Sequence, residues 1–181
     1  KETMMRLFLG LTLPEDIRAR LAGLCGGVPG ARWVTPENLH LTLRFIGETE
    51  EETAHDISAH MARVKELPFD LTCRGVGHFG SGRRIRSLWA GVDPSPPLMA
   101  LQEKVEVSAQ RAGLPPEGRT FTPHIGLARF KSGTRVRLGD YLSGNALFTA
   151  GPFTVDGFAL FSSHLGAKGA SYAIEEVFPL G

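Results

Sequence analysis

Short alternating apolar runs, punctuated by glycine and proline, make up most of the chain, and only a few stretches carry the wider spacing of a helix. Met5 to Leu13 alternates and is rich in strand formers, so a strand is expected there. Pro14-Glu15-Asp16 then opens a helix to about Leu24, because proline and acids suit a first turn, and Gly26, Gly27, Pro29 and Gly30 end it. Arg32-Trp33-Val34 reads as a short extended segment. A Pro36-Glu37-Asn38 turn leads into a strand from Leu39 to Ile46, and an acidic start after Gly47 predicts a helix from about Glu50 to Glu66. Pro68 restarts the chain in extended form, with Phe69 to Val76 and Ile85 to Val92 expected to pair around a loop from Gly77 to Arg84. A helix from about Pro96 to Ala112 should stop at Gly113, Pro115 and Pro116. Phe121 to Arg129 is the next strand and Leu138 to Leu142 a short helical turn. Phe148 to Phe161 and Tyr172 to Pro179 close the chain as strands around a loop from Ser162 to Ala170. With no linker or composition break, residues 4–181 are expected to form one α+β domain of two lobes with a cleft between them. Lys1-Glu2-Thr3, ahead of Met4, is an odd native start and is kept outside the fold.

Within this pattern one short run occurs twice, as His40-Leu41-Thr42-Leu43 and as His124-Ile125-Gly126-Leu127. Successive side chains of a strand point to opposite faces, so His40 and Thr42 share one face while Leu41 and Leu43 share the other. The second copy reads the same way, with Ile125 and Leu127 inward, His124 outward, and Gly126 where the first copy has Thr42. Each half therefore offers one imidazole on a half-buried strand.

Composition narrows the classes. The chain has 181 residues, 42% of them apolar, enough for one ordinary core. No run approaches the roughly 18 apolar residues of a membrane span, and no secretory signal is visible, so a cytoplasmic protein is expected. Cys25 and Cys73 form no Cys-x-x-Cys pair and read as reduced and structural. The net charge of +1 excludes coating of nucleic acid by bulk electrostatics, so any such contact must be local. Basic clusters exist at Arg83, Arg84 and Arg86, and at Arg129, Lys131, Arg135 and Arg137, the second running on directly from His124.

Two opposed histidines have a specific chemical use. Displacement at phosphorus requires one proton taken from the attacking oxygen and another given to the leaving oxygen, which a single neutral imidazole cannot do in one step. With ordinary pKa values near 6.5, one histidine neutral and one charged form an acid/base pair that needs neither metal nor cofactor. Thr42, on the face of His40, can donate its hydroxyl to a nonbridging phosphate oxygen. Arg44, at an even offset from His40, is geometrically better placed to bind substrate, and reads equally as a solvated edge residue. Arg129, at an odd offset from His124, needs a bulge or a strand end to reach the cleft.

These residues resemble a known family. His40-Leu-Thr-Leu-Arg-Phe45, preceded by Arg32-Trp33-Val34 and Pro36-Glu37-Asn38-Leu39, resembles the first signature of the RNA 2′,3′-cyclic phosphodiesterases, also called 2′-5′ RNA ligases, within the two-histidine phosphoesterase superfamily. Pro123-His124-Ile-Gly-Leu-Ala-Arg129 resembles the second, and the likeness runs from Met5 to Leu180. It implies two pseudo-symmetric lobes, each an antiparallel sheet with helices packed outside, and an active-site groove between them. It implies hydrolysis of a terminal 2′,3′-cyclic phosphate to a 2′-phosphate, with His40 the donor to the leaving 3′ oxygen and His124 the acceptor from water. The reverse reaction with a 5′-hydroxyl would be ligation. The substrate would be RNA ends, tRNA fragments among them, acted on by a monomer. Thr42 and the residue at position 126 would hold phosphate oxygens, although this chain has Gly126 where the family has threonine. Arg129 would contact substrate, and Phe45, which occupies the position matching Arg129, would either stack on a base or pack in the core.

His55 and His60 lie five apart on a predicted helix, off zinc-binding spacing, while His78 and His164 fall in loop contexts with no partner at ligand spacing, so no metal site is expected. No Gly-x-x-x-x-Gly-Lys loop or Gly-x-Ser-x-Gly elbow supports an ATP-dependent or serine-based reaction. Two rivals stand beside the expected enzyme: a module that binds RNA ends or nucleotides without turnover, and a phosphodiesterase for another small cyclic or 2′-5′-linked substrate. Specificity would lie in the Gly77 to Arg84 and Ser162 to Ala170 loops.

Overall fold

The computed structural model describes residues 4–167 and 169–181; Lys1–Thr3 and Lys168 lie outside the described residues. The strands are β1 (Met4–Thr12), β2 (Arg32–Trp33), β3 (His40–Glu50), β4 (Phe69–Phe79), β5 (Ser87–Val92), β6 (His124–Arg129), β7 (Thr149–Val155), β8 (Gly157–Gly166) and β9 (Gly169–Pro179), and the helices α1 (Glu15–Ala22), α2 (Glu51–Met61), α3 (Pro96–Arg111) and α4 (Gly139–Gly144). One antiparallel sheet runs β7-β4-β5-β6-β3-β1-β8-β9, with β2 added beside β6. Six strand spacings separate β7 from β8 along this order, about 29 Å in a flat sheet. Asp156 alone joins them in sequence, so the sheet must curl until its two ends approach.

The curl divides the sheet at one seam. Strands β3-β1-β8-β9 form one side and β6-β5-β4-β7 the other, and they meet through a single antiparallel pair, Leu41 with Ile125. On each side the chain passes from a strand through a helix to a motif strand, β1-α1-β3 with β2 intervening and β5-α3-β6 without an insertion, which is the pseudo-symmetry the repeated motif pointed to. Leu7, Leu9 and Leu11 of β1, Leu41 and Leu43 of β3, and Ile125 and Leu127 of β6 all face the helix side. There they pack with Ile17 and Leu21 of α1, Ile57 and Met61 of α2, and Leu98, Leu101 and Val105 of α3. α3 starts where Ser95 Oγ accepts from the Leu98 N–H, with prolines in the first turn.

Several boundaries differ from the expectation, each for a local reason. β3 continues past Ile46 to Glu50, because Gly47 at φ +90° sits in a bulge and leaves Glu48, Thr49 and Glu50 paired with Arg6, Met5 and Met4. α2 ends at Met61, where the Arg63 and Val64 N–H groups bond only three residues back, to the His60 and Met61 carbonyls, and tighten the last turn while Val64 still packs on the core. The expected single strand Phe148 to Phe161 is two, since Asp156-Gly157 breaks the apolar run and passes the chain from one side of the sheet to the other. The expected loop Ser162 to Ala170 is mostly the β8–β9 ribbon, and the loop from Gly77 starts only after Phe79. Beyond Ser163 the ribbon leaves its neighbour β1, so both its faces are wet and the alternation that marks a strand is absent.

Candidate active site

Two matched bulges set which side chains face the groove. Along β1, Thr12, Gly10 and Phe8 stand opposite His40, Thr42 and Phe45, with Leu43 the extra residue. Along β5, Gly91, Trp89 and Ser87 stand opposite His124, Gly126 and Arg129, with Leu127 the extra residue. Alternate residues of a partner strand share a face, so His40, Thr42 and Phe45 line up on one face, as do His124, Gly126 and Arg129 on the same sheet surface. The bulge required to bring Arg129 round is present, three residues after each histidine. The carbonyl of Leu43 accepts from the Gln102 side chain of α3 at 3.3 Å, and that of Leu127 from the Val34 N–H at 2.8 Å.

The same bulge overturns the placement of Arg44. An ideal alternation puts Arg44 beside Thr42, but the extra residue sends it to the helix side, where it is only 7% exposed. Its Nε donates to Glu106 Oε2 at 2.6 Å, Nη1 to the Phe45 carbonyl at 2.7 Å and Nη2 to the Pro115 carbonyl. Arg44 is thus a fixture of the bulge and not a substrate ligand, and Phe45 takes its place on the groove with 41% exposure. Burial acts to raise the Glu106 carboxyl, yet hydrogen bonds from Arg44, the Glu117 N–H and Gln110 outweigh it and hold the group below the usual carboxylate range.

Both imidazoles are locked in one orientation. His40 Nδ1 lies 2.7 Å from the Asn38 carbonyl and His124 Nδ1 lies 2.6 Å from the Thr122 carbonyl, each two residues back. A carbonyl only accepts, so both Nδ1 atoms carry hydrogen and both Nε2 atoms are left for chemistry. His40 Nε2 meets Thr42 Oγ1 at 2.9 Å. His124 Nε2 has no such partner among the described residues, because Gly126 stands where Thr42 stands in the first copy. Burial, with a smaller push from the charge of His124, lowers the His40 pKa, against the opposing hydrogen bond to Asn38.

Aromatic rings back each histidine. Phe8 packs 4.7 Å from His40 and stacks on Phe161 at 4.9 Å, while Tyr172 of β9 meets His40 edge-on at 5.1 Å. Phe45 lies 6.0 Å from Phe8, with Arg6 above it. On the other side Phe79 meets His124 edge-on at 4.9 Å, and Trp89 covers Gly77, whose absent side chain makes room for the indole. Asn38, Thr122, Gln102, Glu106, Phe79, Phe161 and Tyr172 were not legible in the sequence, because they act through backbone carbonyls, through side-chain bonds from α3 or by ring packing, none of which a local motif marks. His78 and His164 lie in strands β4 and β8 and not in loops. Among the described residues no three His, Cys, Asp or Glu cluster to hold a metal, and no helix is long and apolar enough to cross a membrane.

This arrangement, two Nε2 atoms presented from paired strands with a hydroxyl and arginine on the same surface, has known counterparts. The model of the LigT-like phosphoesterases matches residues 11–89 and 92–172. The chain belongs to the LigT-like phosphoesterase family. Among LigT-like relatives, the RNA 2′,3′-cyclic phosphodiesterase of Aquifex aeolicus is 31% identical over 154 residues, 83% of this chain and 82% of the relative. That of Thermus thermophilus is 34% identical over 187 residues, 97% and 90% of the two chains. The crystal structure of Escherichia coli LigT with 3′-AMP superposes with a TM-score of 0.78 at 26% identity, covering 98% of this chain and 99% of that one. The LigT-like protein is thus a cyclic phosphodiesterase of the two-histidine class, a hydrolase of phosphodiester bonds.

Proposed function

We propose that the substrate is an RNA strand ending in a 2′,3′-cyclic phosphate and that the product is the 2′-phosphate. The observation that carries this reading is the pair of locked imidazoles on either side of the Leu41–Ile125 seam, each with Nδ1–H on a carbonyl and Nε2 turned to the groove, that of His40 on the Thr42 hydroxyl. His124 Nε2 takes the proton of the attacking water. His40 Nε2–H gives its proton to the leaving 3′ oxygen as the P–O3′ bond breaks and the new P–O bond forms. Thr42 exchanges its hydrogen bond with His40 for one to a nonbridging oxygen, where negative charge builds. The names of the Aquifex and Thermus relatives, and the 3′-AMP held by the E. coli protein, support a nucleotide phosphate in this groove. With a 5′-hydroxyl in place of water as the nucleophile, the same groups join it to the cyclic phosphate as the P–O3′ bond breaks, forming a 2′-5′ linkage. The enzyme is read as a monomer of one domain, residues 4–181, acting on RNA ends such as tRNA fragments in the cytoplasm.

The test is turnover of a short RNA with a 2′,3′-cyclic end, in EDTA, for the wild type, His40→Ala and His124→Ala. The expected result is a 2′-phosphate product and a loss of at least about 10²-fold in kcat for either variant. A 3′-phosphate product would reverse the roles of the two ester oxygens. Tight binding of the RNA end with no turnover would make the protein a binding module.

A further inference from the structure

Arg32 and Arg129 stand directly opposite each other in the β2–β6 pairing. Opposed residues of an antiparallel pair point to one face, and like charges in that position are destabilising. Trp33 and Ala128, the adjacent pair, face the helix side, with Ala128 1% exposed and Trp33 packed on the core. Arg32 therefore faces the groove with Arg129. Both are exposed, and neither guanidinium takes part in a side-chain hydrogen bond or ion pair among the described residues. The position matters too. β3 pairs with β6 only at Ile125, and β2 fills the edge of β6 that β3 leaves, so Arg32 lies where the two sides of the groove part.

We infer that Arg32 and Arg129 clamp a second phosphate of the substrate, the phosphodiester one nucleotide to the 5′ side of the reacting cyclic phosphate. Gly126 and Arg129 are opposite Trp89 and Ser87, two ladder steps apart, which is about 7 Å along the strand and matches the span of one nucleotide of backbone. A 2′,3′-cyclic phosphate is a 3′ end, so a neighbouring phosphate exists only on its 5′ side. Two guanidinium groups offer the forked donors that phosphodiester oxygens accept, and the anion removes the like-charge repulsion between them. The clamp makes the enzyme prefer an oligonucleotide over a cyclic mononucleotide, which has no second phosphate. This assignment rests on the reading that the groove takes RNA cyclic-phosphate ends.

The experiment compares kcat/KM for 2′,3′-cyclic AMP, for the dinucleotide ApA with a 2′,3′-cyclic end, and for that dinucleotide with a neutral methylphosphonate in the internal linkage. The wild type should favour the phosphodiester dinucleotide over the other two. Arg32→Gln should lower the ratio of dinucleotide to mononucleotide activity by about tenfold, mainly through KM. It should also reduce the slope of log affinity against log salt by about 0.7, and Arg32→Lys should restore part of the ratio. Equal use of the phosphodiester and methylphosphonate dinucleotides by the wild type overturns the clamp, as does a loss in Arg32→Gln shared equally by both substrate lengths. If no substrate turns over, the functional reading fails separately. Affinity for the 2′-phosphate dinucleotide with either internal linkage then decides the clamp alone.

Discussion

At the scale of single residues, the two histidines are matched in backbone and unequal in surroundings. His40 is the more buried in effect, resting on Phe8 and Tyr172, and burial depresses its pKa more than the nearby His124 does. A donor must be protonated, so the free enzyme loses its competent form as pH rises through this lowered value. A bound phosphate is negative and pushes the pKa back up. The alkaline limb of kcat/KM, which reports free enzyme, should therefore lie at lower pH than the alkaline limb of kcat. NMR titration of the ring should show His40 below about 6.5 in the free protein, moving up with the 2′-phosphate product. His124→Asn should leave it still depressed, since charge is the smaller cause; a full return to the ordinary value would contradict the burial account. Position 126 offers a second residue-scale test. A Cβ on Gly126 meets nothing within 4 Å and the backbone is not left-handed. Gly126→Thr should fold normally, place a hydroxyl beside His124 Nε2 as Thr42 does for His40, and raise kcat by about tenfold or more. Unchanged kcat in a folded variant would show that the second hydroxyl is dispensable here.

At the scale of elements, the bulges separate what could be read in the sequence from what could not. The histidines, Thr42 and the buried Leu41 and Ile125 were legible because strand alternation is local. Arg44 was misplaced and Phe45 left undecided because one extra residue after Thr42 inverts the alternation, and nothing in His-Leu-Thr-Leu-Arg-Phe marks it. The determinants lie elsewhere in the chain, in Gln102 and Glu106 of α3 and in the register of β1. The β8–β9 ribbon was hidden for the opposite reason: with water on both faces it has no apolar period to detect. If the Arg44–Glu106 pair holds the bulge, Arg44→Met should leave Glu106 half-buried without its cation. Breaking a buried pair in this way costs about 3–5 kcal/mol, readable in urea unfolding. Glu106→Gln keeps acceptors for the Glu117 N–H and Gln110 and should cost less. A loss below about 1 kcal/mol for Arg44→Met, on the scale of an exposed pair, would remove the bulge from the list of anchored features.

At the scale of the whole molecule, the question is whether two sides of a groove behave as two units. The sheet changes side at Asp156, the seam is a single residue pair, and the motif halves rhyme, all of which suits independent lobes. The core argues otherwise. Buried residues of β1, β3 and β8 on one side and of β4, β5, β6 and β7 on the other belong to a single contiguous cluster with all four helices. α3 supplies Leu98, Leu101 and Val105 to that cluster and holds β3 across the seam through Glu106 and Gln102. A shared core predicts one cooperative unfolding transition. Leu101→Ala, at a fully buried position, should cost about 3 kcal/mol, and lower Tm by about 6–12 °C in a chain of this size. Hydrogen exchange gives the sharper reading. In the variant, amides of β1 and of β4 that exchange only by global opening should lose protection by the same factor, because neither side opens without the other. If β4 and β5 lost protection while β1 and β8 kept theirs, the two sides would be separate folding units, and the groove geometry would depend on how they dock.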